Sequence, residues 1–183
     1  METLVKPSTL FWNNLDYIVQ NKSVNYLYVA EKSDIGKNRL KRLRDEQVMP
    51  ASTGIDRIAK ALNIDYYVLF EDHIGENRED DILPRQTELT VSEIFWDNLS
   101  RFNHFTAKNG IKHSLTELCR KSGVQYKKLN GCKCQNRLPK ENIIIGFANT
   151  LGIAYMDLFF NAIPISSLSK FQYISPVLIQ SVQ

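Results

Sequence analysis

Tyr26-Leu-Tyr-Val-Ala-Glu-Lys-Ser-Asp-Ile35, running on to Leu43, and Leu115-Thr-Glu-Leu-Cys-Arg-Lys-Ser-Gly-Val124, running on to Cys132, lie eighty-nine residues apart. They align without a gap through Phe70 and Phe159. Pairs in this register include Lys32/Lys121, Ser33/Ser122, Leu40/Leu129, Pro50/Pro139, Ile55/Ile144, Ala59/Ala148, Ile64/Ile153, Tyr66/Tyr155 and Phe70/Phe159. A twofold repeat with a period far above the roughly 20–50 residues of solenoid arrays means a duplicated small domain. Working outward, Phe11-Trp12-Asn-Asn-Leu15 and Phe95-Trp96-Asp-Asn-Leu99 match at an offset of eighty-four. The second copy therefore carries five extra residues (89 − 84), around Lys108-Asn109-Gly110, where a loop accepts an insertion.

Within 183 residues two such copies must each be small, compact and rich in local contacts, which favours helices. The spacing of apolar residues predicts a first helix over Leu10 to Gln20, repeated over Ile94 to Phe102. A second follows over Asn25 to Ser33 and over Ser114 to Ser122, where Ser114-Leu-Thr-Glu117 reads as a capping box. A turn at Asp34-Ile35 or Gly123-Val124 leads into a third helix, Gly36 to Arg44 and Gln125 to Lys133. After a loop containing Pro50 or Pro139, a fourth helix spans Ser52 to Leu62 and Lys140 to Leu151. The fifth spans Tyr66 to Phe70 and Tyr155 to Phe159, with Asp65 a good N-cap and Ala154 a poor one. From Ala162 the helical period is lost, and the tail reads equally as an extended arm, a pair of short strands or disorder.

The net charge of +3 is unevenly spread. Residues 11–70 carry nine Lys/Arg against seven Asp/Glu, residues 95–160 ten against four, and residues 71–94 two against eight. Two basic modules are thus joined by an acidic connector, the pattern of phosphate-binding domains on a solvated linker. No apolar run is long enough to span a membrane, and the N-terminus has no apolar segment of signal-peptide type. A cytoplasmic location and no membrane partner are the expectation.

One set of slots recurs through the second and third helices. A small residue at Ala30 or Cys119 lets the helices approach, and a turn residue follows at Asp34 or Gly123. Apolar residues at Ile35/Val124, Leu40/Leu129 and Leu43/Cys132 seat the third helix with its other face outward. This is the spacing of a helix-turn-helix, whose second helix enters the DNA major groove. The outward residues of the first copy are Lys37, Asn38, Arg39, Lys41, Arg42 and Arg44. Those of the second are Gln125, Tyr126, Lys127, Lys128, Asn130 and Lys133, followed by Asn136 and Arg137 in the loop before Pro139. Lys and Arg neutralise phosphate, while Asn, Gln, Lys and Arg have the donor geometry to read base edges.

Ile58-Ala-Lys-Ala-Leu-Asn-Ile64 with Tyr-Tyr-Val-Leu-Phe70, and Phe147-Ala-Asn-Thr-Leu-Gly-Ile153 with Ala-Tyr-Met-Asp-Leu158, close the two copies. With the preceding turn and helix, they resemble the lambda-repressor-like DNA-binding domains of Cro/CI or XRE type. The chain departs from that pattern at Asp34, where Gly is usual, at Cys119, where Ala is usual, and at Gly131 within the third helix. The resemblance implies an all-α chain of two tandem five-helix lambda-repressor-like helix-turn-helix domains, at 8–72 and 92–161. An acidic linker at 73–91 joins them, and a tail at 162–183 is a candidate oligomerisation arm. It further implies a sequence-specific double-stranded DNA-binding transcriptional regulator, a repressor of bacterial, phage or mobile-element type. The exposed third helices differ, so unlike half-sites are expected. In the alternative reading, one copy has become a dimerisation or partner-binding surface.

Other chemistries find little purchase. Cys132-x-Cys134 with Cys119 and His113 lacks the paired spacing of a zinc site, and Cys119 and Cys132 fall in apolar slots. An odd number of cysteines, three, argues against structural disulfides. Trp12 and Trp96 read as core anchors packing on the fifth helix, and Tyr66-Tyr67 as core or interface. His73, His104 and His113 lie in or beside loops and share no ligand spacing. No Gly-rich phosphate loop, nucleophile–base pair or carboxylate pair stands out, so neither an enzyme, a cofactor nor a small-molecule ligand is expected. The partners expected are duplex DNA and, through the tail, a homodimer.

Overall fold

The structure, a computed structural model, describes residues 5–71, 88–108 and 114–160. Most of the acidic linker, Asn109 and Gly110 of the insertion, His73, His113 and the tail at 162–183 lie outside the described residues. The chain divides into two compact units, Met1–Val91 and Ser92–Gln183. Among the described residues all regular structure is helical. In the first unit α1 (Pro7–Asn21), α2 (Tyr26–Lys32), α3 (Lys37–Asp45) and α4 (Ser52–Leu62) precede a short 3-10 helix, Tyr66–Phe70. The second unit contains α5 (Val91–Lys108), α6 (Leu115–Lys121), α7 (Tyr126–Cys134), α8 (Glu141–Leu151) and a 3-10 helix, Tyr155–Leu158. No helix among the described residues is long and apolar enough to cross a membrane.

Helix α1 starts three residues earlier than the apolar spacing predicts, because Pro7 stands in the first turn, where its missing N–H costs nothing. Helix α5 runs past Phe102 to Lys108 and takes in His104, since no breaker occurs before Asn109-Gly110. The fifth helices are 3-10 rather than α, as is common for one-turn segments.

The caps are local and doubled. Asn25 accepts from the Tyr28 N–H at 2.9 Å, and Ser114 Oγ from the Glu117 N–H at 3.1 Å. Three helix ends in each unit turn through the left-handed region in the same register: Asp34 (φ 52°) and Gly123 (67°), Gln47 (51°) and Asn136 (47°), Asn63 (50°) and Gly152 (67°). The turn between α2 and α3 closes with Ile35 N–H on Ala30 O at 3.1 Å, and its counterpart with Val124 N–H on Cys119 O at 2.8 Å. Glycine takes this backbone freely, whereas Asp34 holds it at a cost of about 1 kcal/mol. Asp65 makes no side-chain cap despite its composition, and is buried. At the equivalent place Ala154, which has no side-chain acceptor, is served in reverse: Asp157 Oδ2 accepts from the Ala154 N–H at 3.1 Å.

In each unit the core is built on the first helix. Phe11, Trp12, Leu15 and Ile18 are fully buried in α1, and Phe95 in α5. The phenylalanine rings lie against the closing segment of each unit: Phe11–Phe70 and Phe95–Phe159 centroids are both 5.8 Å apart. The tryptophans stand edge-on to them at 5.0 Å and donate elsewhere. Trp12 Nε1 donates to Val48 O at 3.2 Å, and Trp96 Nε1 to Arg137 O at 3.1 Å. Each indole therefore tethers the loop that follows α3 or α7, as a buried N–H requires a partner. Tyr66 is core, and Tyr67 is half-buried.

A buried asparagine completes the frame. Asn14 Nδ2 donates to Glu71 O at 2.8 Å and Val68 O at 3.3 Å. Asn98 Nδ2 donates to Phe160 O at 2.7 Å, Leu158 O at 3.3 Å and Asp157 O at 3.4 Å. These amides satisfy carbonyls that a short helix leaves without an intrahelical partner, and so lock the first helix to the last.

Candidate functional site

Helix α3 is anchored by one fully buried residue, Leu40, with Leu43 half-buried. At about 100° per residue, Asn38 and Arg42 fall opposite Leu40, with Arg39 and Lys41 on the flanks. Lys37, Asn38, Arg39, Lys41 and Arg42 are all exposed. Among the described residues no ion pair involves Lys37, Arg39, Lys41 or Arg42. A cationic face that no acid of the described residues neutralises is available to phosphate.

Arg44 differs from these. It stands four residues after Leu40, hence on the buried side, and is half-buried. Its Nη2 lies 2.8 Å from Asp16 Oδ1, and its guanidinium packs over the Tyr26 ring, 4.4 Å from the centroid. Unlike the other cations of α3, Arg44 is thus engaged by its own protein, through Asp16 and Tyr26, while its side chain stays 42% exposed. The i+4 spacing from Leu40 was the available signal.

Helix α7 is seated by Leu129 in the same register. Tyr126, Lys127, Lys128 and Lys133 are exposed, and Asn130 is half-buried. Gln125 is the N-cap residue, with an exposed side chain that makes no cap bond. Lys127 and Gly131 lie opposite Leu129, so the outward centre that holds Arg42 in the first unit is bare in the second. A Cβ at Gly131 would meet nothing within 4 Å, so the fold itself does not require glycine there. Asn136 and Arg137 are exposed in the following loop, Asn136 in the left-handed conformation that ends α7. No ion pair among the described residues involves Lys127, Lys128, Lys133 or Arg137.

The cysteines divide by place: Cys119 is buried at the α6 slot, Cys132 is half-buried and Cys134 is exposed. Burial pushes the Cys119 thiol up, which keeps it protonated and unreactive. Among the described residues no cluster of three His, Cys, Asp or Glu side chains could hold a metal ion.

The sequence reading missed the side chains that support these faces: Asn14 and Asn98, the Asp16–Tyr26 pair, and the indole tethers to Val48 and Arg137. The asparagines had a visible signal, since Asn14 and Asn98 are the polar residues kept inside otherwise apolar matching stretches. No protein-family model matches the chain, and neither a curated protein nor a solved structure does.

Proposed function

We propose that this chain is a sequence-specific double-stranded DNA-binding transcriptional regulator, a repressor, built from two tandem five-helix lambda-repressor-like helix-turn-helix domains. The observation that carries the reading is the pair α3 and α7. Each is a nine-residue helix, seated by a single buried leucine after a left-handed turn residue, with exposed cations that no acid of the described residues pairs. Lys37, Arg39, Lys41, Arg42, Lys127, Lys128, Lys133 and Arg137 supply the phosphate contacts in this reading; Asn38, Gln125, Tyr126, Asn130 and Asn136 supply base or backbone hydrogen bonds and packing. The linker makes binding of the second head intramolecular once the first is engaged. Because the outward centres are Asn38/Arg42 in one head and Lys127/Gly131 in the other, the half-sites are unlike.

The test is in vitro selection of duplex DNA followed by affinity measurements against salt. Charge reversal of Lys41 and Arg42, and separately of Lys127 and Lys128, lowers affinity and reduces the log–log salt slope by about two per pair. A palindrome with two identical halves from the selection refutes unlike heads. Gly131 favours a second reading for the second unit, in which α7 faces a protein partner. In that case reversing Lys127 and Lys128 leaves both affinity and slope unchanged.

A further inference from the structure

One carboxylate in the first unit gathers three helices. Asp16 Oδ1, on α1, accepts from the Tyr26 hydroxyl of α2 at 2.6 Å and lies 2.8 Å from Arg44 Nη2 of α3. The Arg44 guanidinium covers the Tyr26 ring at 4.4 Å, closing the triangle. Burial and the neighbouring Asp16 push the Tyr26 phenol well above its ordinary value, so it stays protonated and keeps donating. Helix α3 needs such a hold: Leu40 is its one fully buried side chain, which fixes its distance from the core better than its roll.

We propose that Asp16, Tyr26 and Arg44 are positioning residues that clasp the C-terminal end of α3 and set the angle at which Asn38, Arg39, Lys41 and Arg42 meet DNA. The proposal rests on the DNA-binding reading for what is presented, though not for the clasp itself. It is confined to the first unit. In the repeat register Asp16, Tyr26 and Arg44 become Ser100, Leu115 and Lys133, which supply neither a carboxylate nor a phenol. Lys133 is exposed and takes part in no ion pair among the described residues. The first head thus carries a constraint on the roll of its helix that the second lacks among the described residues. Arg44 suits this role better than lysine would, because its planar guanidinium can stack on a ring and bond a carboxylate at once.

The experiment compares Asp16→Asn, Arg44→Met, Arg44→Lys and the double Asp16→Asn/Arg44→Met in the full chain, on the selected duplex across a salt series. The clasp predicts that each single change lowers affinity about three- to tenfold with an unchanged salt slope, and that the double is no worse than either. Arg44→Lys behaves like Arg44→Met. If Arg44 instead touches phosphate, the signs separate: Asp16→Asn frees it and raises affinity, and Arg44→Met lowers the slope by about one. Either result overturns the proposal. Two readouts need no DNA. In Asp16→Asn the Tyr26 phenol, followed by NMR, titrates lower than in the parent, and α3 amides exchange faster while those of α4 and α7 do not. An unmoved phenol with unchanged α3 exchange overturns the clasp. Absence of salt-dependent duplex binding by the parent refutes the functional reading, and these two measurements then decide the clasp alone.

Discussion

Replacing Asn14 by alanine removes the amide that ties α1 to the last helix of the first unit, and the cost can be worked from the geometry. The 2.8 Å bond to Glu71 O contributes about 1 kcal/mol net, and the 3.3 Å bond to Val68 O less. Glu71 is half-buried, so water can reach its carbonyl after the change; Val68 is buried, and its carbonyl is left unsatisfied at a further 1 kcal/mol or so. Lost packing around a side chain only 3% exposed adds to this. The expected total is about 2–3 kcal/mol, which in a unit of this size lowers the midpoint by roughly 10–20 °C. Asn14→Asp fares worse, because a carboxylate has no N–H to give and faces two carbonyl oxygens. Amide exchange in the full chain is the assay: the first unit loses protection and the second, with its own Asn98 clamp, does not. A loss under about 0.5 kcal/mol, or equal loss in both units, refutes the reasoning.

Gly131→Ala stabilises the second unit by up to about 1 kcal/mol in chemical denaturation, because the added methyl meets open space in an exposed helix. A loss of stability shows instead that the helix is crowded at that point. Burial raises the Asp157 carboxyl from 3.8 to about 6. Between those values the folded second unit holds a proton that the unfolded chain releases, so the contribution of this group to stability is greatest below about pH 4 and is lost as pH rises through about 6. Allowing for solvent screening of a partly exposed group, the fall is on the order of 1–2 kcal/mol. Asp157→Asn keeps an acceptor for the Ala154 N–H and abolishes that fall, so the two proteins agree at pH 4 and the variant is the more stable at pH 7. Equal stability at pH 7 refutes the assignment.

The elements were legible because their signals are local. Apolar spacing located every helix of the described residues, and the boundaries missed by three residues or more were the starts at Pro7 and Val91 and the end at Lys108, the first set by a first-turn proline and the last by the absence of a breaker. The paired left-handed positions fell on the turn residues Asp34 and Gly123, as their chemistry suggests. The candidate faces were legible to the same extent, since exposure on a helix follows from phase relative to Leu40 and Leu129. Asp65 holds the N-cap position that its type suggests, but its buried side chain makes no cap bond, because propensity says what a side chain can do and not what it does once buried.

The repeat by itself determined that two matching helical segments exist, that Leu40 and Leu129 seat α3 and α7, and that most of their basic side chains remain outside; Leu43 and Cys132, assigned to the same seat, are only half-buried. Tertiary structure alone decided what the polar and aromatic residues between them do. Trp12 reaches a carbonyl thirty-six residues away, Asn14 one fifty-seven away, and Asp16 pairs with Arg44, twenty-eight residues on, an ion pair that helix phase does not foretell. The physical reason is range. Helix propensity and apolar phase act within a turn or two of chain, whereas a hydrogen bond or ion pair between distant residues exists only after the core has brought its partners together.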